Sequence, residues 1–203
     1  MDEFVTELIL AGDNATETLV QGTKARLIEA AAELLDSSWQ MKLPTMRKIA
    51  AGAGVSPGAA YRHFSSQEEL FMAVVRWRFH QLETALRQAV GDASDPREVL
   101  ERFAHGYAAW GLSHPGSYQI LFETTDDLRI ASGRGRPGIH LLTELAGLIE
   151  VIAPSPQSSE VRSQRLWSSL HGIVSLRIHK IGMEWATTLD SDIAALVERV
   201  VTP

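Results

Sequence analysis

The chain has 203 residues, 45% of them hydrophobic, and a formal net charge of −6. That length allows one large domain, or one small and one medium domain, with enough apolar material for a real core. It holds no cysteine, which excludes disulfides and thiolate metal sites, and no apolar run approaches the ~20 residues of a membrane span.

Residues 1–21 contain five acids and no Lys or Arg. They read as a flexible acidic tail without the basic start of a signal peptide, so a cytoplasmic location is expected. A first helix is predicted from about Thr23 to Ser37, where Leu27, Ile28, Ala31, Leu34 and Leu35 recur at helical spacing. A loop carrying Trp39 follows. Thr45 then caps a second helix whose buried face is Ile49 and Ala50. Gly52 and Gly54 bracket a turn that needs close approach or positive φ. Ser56 caps a third helix with Pro57 at its first position, where a missing N–H costs nothing. Two short helices joined by a tight turn form a helix-turn-helix.

Charge assigns this motif a partner. From Met41 to His63 there are four basic residues (Lys42, Arg47, Lys48, Arg62) and no acid. A locally basic footprint on an acidic protein suits a DNA module attached to something else. Thr45 and the free N–H groups behind it fit a DNA phosphate; a plain N-cap accounts for the same residue, and the two roles are compatible. Arg47 and Lys48, taken singly, read as a solvated charged face; in the helix-turn-helix context they read as phosphate contacts. Ser56, Pro57, Gly58 and Ala59 give the third helix a small face that lets its backbone sink into a major groove. Arg62 carries the one long basic side chain of that helix and is chosen for a base or phosphate contact.

Ser66 followed by Glu69 predicts a capping box opening a fourth helix to about Ala89. Its buried stripe is Leu70, Phe71, Val74, Val75, Phe79, Leu82 and Leu86. A fifth helix is predicted from Pro96 to Ser113, ended by His114-Pro115-Gly116, and a short sixth from Tyr118 to Phe122. Phe103, Tyr107, Trp110, Tyr118 and Phe122 fall close together in sequence; they line a ligand pocket or form ordinary core. Residues 123–137 read as a loop. Gly133, Gly135 and Gly138 spell G-x-G-x-x-G there, but no strand precedes them and no βαβ unit surrounds them, so a dinucleotide site is rejected. Arg134 and Arg136 are read as exposed. Helices are predicted at 138–152, 159–182 and 191–200. Trp167 and His171 lie four apart on one helix face, and Gly172 admits a neighbouring backbone. Trp167 reads as core. His171 reads equally as a ligand contact or a satisfied core histidine.

The run Ile49-Ala50, Ala53-Gly54-Val55-Ser56, Gly58, Tyr61, His63-Phe64 and Glu69-Leu70-Phe71 resembles the TetR family of bacterial repressors, with Lys24 to Leu35 similar to that family's first helix. The resemblance implies that Tyr61 and His63 contact phosphates. Relatives usually carry a DNA-contacting lysine at position 67; Gln67 here keeps a hydrogen-bond donor and loses the charge. Ala60 stands where relatives usually have leucine, implying looser packing there. Trp167-x3-His171-Gly172 resembles the subgroup with a Trp-x3-His-Gly, or WHG, C-terminal domain. The resemblance further implies a homodimer through residues 159–182 and 191–200.

The expected fold is all-α. It has a tail at 1–21, a three-helix helix-turn-helix DNA-binding domain at 22–68, and a larger helical ligand-binding and dimerisation domain at 69–203. The expected function is a TetR-type regulator, a repressor that binds a palindromic operator as a homodimer and is released by a small, largely apolar effector. No H-E-x-x-H, P-loop or nucleophile elbow occurs. No metal, cofactor or membrane contact is expected. Two alternatives stand beside this reading: an all-helical enzyme with chemistry at His171, Tyr107 or Glu144, and an interaction module whose helix-turn-helix meets protein.

Overall fold

The computed structural model describes residues 22–37, 44–123 and 139–202. The acidic tail, the Trp39 loop with Lys42, and the 124–138 segment with Arg134 and Arg136 lie outside them. Within the described residues the chain forms nine helices and no strand: α1 Thr23–Asp36, α2 Met46–Gly52, α3 Pro57–His63, α4 Gln67–Val90, α5 Pro96–Ser113, α6 Pro115–Glu123, α7 Ile139–Ile152, α8 Ser159–His179 and α9 Leu189–Val201. The all-α expectation holds.

The described residues divide into two compact units. One holds 22–81 and 114–123; the other holds 82–113 and 139–202. The division falls inside α4, between Gln81 and Leu82.

In the first unit, α1 packs on α2, α3 and α6. Its buried side chains include Leu27, Ile28, Ala31 and Leu35, while Leu34 is half-buried. Both glycines of the α2–α3 turn do what the sequence demands of them. Gly54 adopts φ 67°, a region closed to most residues with a Cβ. Gly52 sits so near α1 that a Cβ there would meet Ala30 Cβ at 3.3 Å. Ala60 and Phe64 are fully buried, so the alanine at position 60 leaves no exposed gap.

The capping box of α4 is rearranged. Ser66 Oγ accepts Glu69 N–H at 3.1 Å as expected. The returning carboxylate passes over Ser66 and accepts from Ser65, from its N–H and from its Oγ, each at 2.7 Å. Those hydrogen bonds, the hydroxyl's first, hold the Glu69 carboxyl below its ordinary pKa. The predicted α4 stripe, Leu70 to Leu86, is buried throughout.

The sequence placed a stop at His114-Pro115-Gly116; the structure uses the same residues to stop α5 and to start α6. Proline cannot continue a helix but is well suited to begin one, and Tyr118 N–H donates to His114 O at 2.8 Å. Helix α6 therefore begins at Pro115, three residues before the predicted start.

In the second unit, α8 packs against α5, α7 and α9. Leu166, Leu170, Val174 and Ile178 form its buried row, and Ile193 and Val197 that of α9. Arg162 is buried beneath them. Its Nη1 donates to Ala153 O at 2.7 Å, just past the end of α7, and to Val200 O at 3.5 Å in the last turn of α9. Nη2 reaches Glu150 at 3.3 Å. One guanidinium thus satisfies carbonyls that two helix ends leave open. Helix α8 stops at His179, earlier than the predicted Gly182, and α9 starts at Leu189, capped by Thr188 through Ser191 N–H at 3.2 Å. Arg177 braces the intervening turn: it pairs with Asp192 at 2.7 Å and lies 4.4 Å from the Trp185 ring centroid.

Candidate nucleic-acid interface

Helices α2 and α3 of the first unit expose polar and basic side chains and little apolar bulk. Thr45 Oγ1 accepts Lys48 N–H at 3.4 Å, and Ser56 Oγ accepts Ala59 N–H at 3.2 Å, so both predicted N-caps form. Of the sequence-predicted contacts, Thr45, Arg47, Lys48, Ser56, Pro57, Gly58, Tyr61, Arg62 and His63 are all exposed. Tyr61 stands out at 55% exposure, one of the few large apolar side chains so displayed. An aromatic ring at the open surface of a seven-residue helix, flanked by Arg62 and His63, offers a flat face and a hydroxyl beside positive charge. Gly58 has open space where a Cβ would stand. No acid occurs between Pro44 and Phe64. Phosphate is favoured at such a surface, and a helix of this bareness can approach base edges closely.

Two predicted contacts are placed differently. Ala59 is half-buried. Gln67 is also half-buried, and its Nε2 donates to Pro44 O at 2.9 Å, tying the first residue of α4 to the residue before the α2 cap. The sequence carries no local signal for that bond, since its partner lies 23 positions away.

The seven candidate ligand residues fall into separate groups. Phe103, Tyr107 and Trp110 are buried in the second unit. Tyr118 and Phe122 belong to the first unit, where their rings stand 4.9 Å apart and Phe122 meets Phe79 edge-on at 5.9 Å. Trp167 and His171 are half-buried on α8 with ring centroids 5.9 Å apart. Their planes are tilted by 36° to one another.

A polar group that sequence reasoning mentioned only in passing lies in the second unit. Glu144 of α7 is half-buried, and its pKa is raised above the usual carboxylate range. Burial is the main cause; His140 and Arg87 oppose it and Glu83 adds to it. His140 Nε2 lies 3.0 Å from Glu83 Oε1. Among the described residues no group of three or more His, Asp or Glu is placed to hold a metal ion, and no helix is long and apolar enough to cross a membrane.

Similarity to known proteins runs along both units. Residues 43–74 match the family described as bacterial regulatory proteins, tetR family, and residues 100–202, about half the chain, match the tetracyclin repressor-like C-terminal domain. Among characterised sequences, the nucleoid occlusion factor SlmA of Vibrio campbellii is 29% identical over 98 residues, 48% of this chain and 50% of that protein. The matching stretch thus spans about half the length of that relative. Among solved structures, a TetR-like transcriptional regulator from Rhodococcus sp. RHA1 aligns with a TM-score of 0.69 at 21% identity, covering 88% of this chain and 93% of its own. The fatty acid degradation regulator FadR from Bacillus halodurans aligns at 0.70 and 17% identity, over 89% and 96%. The two domain matches, together with a helix-turn-helix whose exposed face carries no acid, make this chain a transcriptional regulator of the TetR family.

Proposed function

We propose that the protein is a homodimeric repressor that places α3 of each protomer in a major groove of a palindromic operator and is released by a small, largely apolar effector. The observation that carries the reading is the exposure of Ser56, Pro57, Gly58, Tyr61, Arg62 and His63 on one acid-free helix. In this reading Thr45, Arg47, Lys48, Tyr61 and His63 hold phosphates, the Ser56–Ala59 face approaches base edges, and Arg62 reaches a phosphate at the groove edge as well as a base. Gln67 contributes its remaining amide hydrogen to a phosphate while staying bonded to Pro44.

Dimerisation is assigned to α8 and α9. Val161, Leu176, Ile181 and Met183 are exposed large apolar side chains, and Gly172, with open space where a Cβ would be, lies between the first two. A second copy packed on this face buries them and creates the two-fold axis that a palindrome requires. The C-terminal half is assigned to the WHG subgroup on Trp167, His171 and Gly172. The effector is assigned to the second unit, near Phe103, Tyr107, Trp110, Trp167 and His171. Effector and operator then oppose each other through linkage.

The test is Tyr61→Phe combined with Arg62→Ala, titrated against the DNA flanking the protein's own gene with excess non-specific competitor at two salt concentrations. Taking charge away from the phosphates weakens binding and flattens the salt slope by about 0.9 for each phosphate no longer neutralised. An affinity and slope equal to wild type would sink the assignment of α3.

A further inference from the structure

Asp36 is the last residue of α1, where a carboxylate opposes the partial negative charge of the helix end. Nothing in α1 compensates for it; both oxygens serve other elements. Oδ2 pairs with the Arg78 guanidinium of α4. Oδ1 accepts Ser117 N–H of α6 at 2.8 Å, where the open N–H groups and positive end of a helix welcome a carboxylate. Arg78 is buried, 6% exposed, and its Nη1 donates to Gln81 Oε1 at 2.5 Å. One residue before Ser117, Gly116 approaches α1 so closely that a Cβ would overlap the Leu35 carbonyl. Toward the other end of α6, Phe122 packs against Phe79. Helix α6 is therefore fixed to α1 and α4 through an ion pair whose arginine is buried and whose aspartate is half-buried, and α1 in turn packs on α2 and α3. The chain enters α6 from the second unit through His114, the single residue between α5 and α6.

We propose that Asp36 is a positioning residue for DNA binding: holding the α6 N-terminus and Arg78 against the end of α1, it fixes the pose of α2 and α3. The proposal rests on α2–α3 being the DNA reader. Releasing α6 broadens the poses of α2–α3, so a smaller fraction is ready for DNA and affinity falls.

The variants are Asp36→Asn, Arg78→Met and the double, each in the full chain below its melting transition, with folding confirmed by circular dichroism. Hydrogen exchange on the free protein is measured first and needs no DNA. Asp36→Asn is expected to speed exchange at Ser117 to Gln119 and also in α2–α3. Acceleration confined to α6, or absent, overturns the coupling, and a merely structural Asp36 lowers melting temperature alone. Anisotropy against the operator fragment is then expected to show about a tenfold loss for either single variant, with unchanged salt slope. The double variant is expected to be no weaker than the weaker single, because the pair acts as one unit. Wild-type affinity in folded Asp36→Asn, or losses that multiply in the double, overturns it. If Asp36→Asn does not fold, Arg78→Met, which leaves the Ser117 bond in place, is read by the same two measurements. Failure of wild-type protein to bind any DNA sinks the reader assignment and leaves the exchange result to decide the coupling.

Discussion

Gly58 has no neighbour within 4 Å of the position its Cβ would take and no positive φ. Glycine in a helix costs up to about 1 kcal/mol against alanine, and nothing among the described residues uses the space gained. The bareness serves something outside, which on the proposed function is the floor of a groove. Gly58→Ala is expected to raise the urea midpoint, by a stability of up to about 1 kcal/mol, while weakening operator binding; equal affinity would remove Gly58 from the interface. Two other glycines show what a sequence reveals at this scale. Gly52 and Gly54 were legible because turn chemistry is local, and one proved to be a close approach and the other a positive φ. Gln67 was not legible as a tie to Pro44, because an amide's partner is chosen by the fold that surrounds it. Asp36 left a faint signal: a carboxylate ending a helix contradicts local preference, and such contradictions point to a distant partner.

Among the helices, existence was more legible than ends. The nine helices of the described residues were all expected, the longer ones from apolar residues at helical spacing and α2 and α3 mainly from their caps and turn glycines, but α6 starts earlier and α8 stops earlier than pattern alone indicates. Proline marks a boundary without saying on which side the helix lies. What the pattern also hides is how helix ends are satisfied. Arg162→Ala strips the last turns of α7 and α9 of a shared donor and leaves buried carbonyls open. It is expected to cost about 2–3 kcal/mol in chemical unfolding, and a loss near zero would mean that the carbonyls find other partners. Glu144 gives this unit a pH dependence. Its raised pKa means that folding favours the protonated form, so its contribution is intact below the ordinary carboxyl range and is lost as pH rises through the folded pKa. Glu144→Gln, a mimic of the protonated form, is expected to stabilise the protein at neutral pH. That advantage should fade toward pH ~4, as read by melting across a pH series; a pH-independent difference would assign the effect to packing.

For the whole molecule, a net charge of −6 keeps non-specific DNA affinity low, and the acid-free face between Pro44 and Phe64 concentrates attraction where the helix-turn-helix stands. This was legible by counting charges. The segment 159–182 of the proposed dimer interface was implied by the family resemblance, but the face it would use was not legible. Helix α8 buries Leu166, Leu170, Val174 and Ile178 and exposes Val161 and Leu176; both sets are apolar at helical spacing, and only the fold tells which one the protomer has already used. Leu176→Glu is expected to convert the dimer to monomer in sedimentation velocity and to weaken operator binding with it, because two half-sites are then no longer bound as one unit. A dimer that survives the substitution would move the interface elsewhere.

The turn between α8 and α9 has an optical consequence. Arg177 holds its guanidinium 4.4 Å from the Trp185 ring centroid while Ile181 stands 71% exposed four residues earlier. Indole emission responds to a nearby cation and to loss of water, so Trp185 is an intrinsic fluorophore at this turn. With the other four tryptophans changed to phenylalanine, its colour is expected to shift with protein concentration if the proposed dimer face lies at this turn.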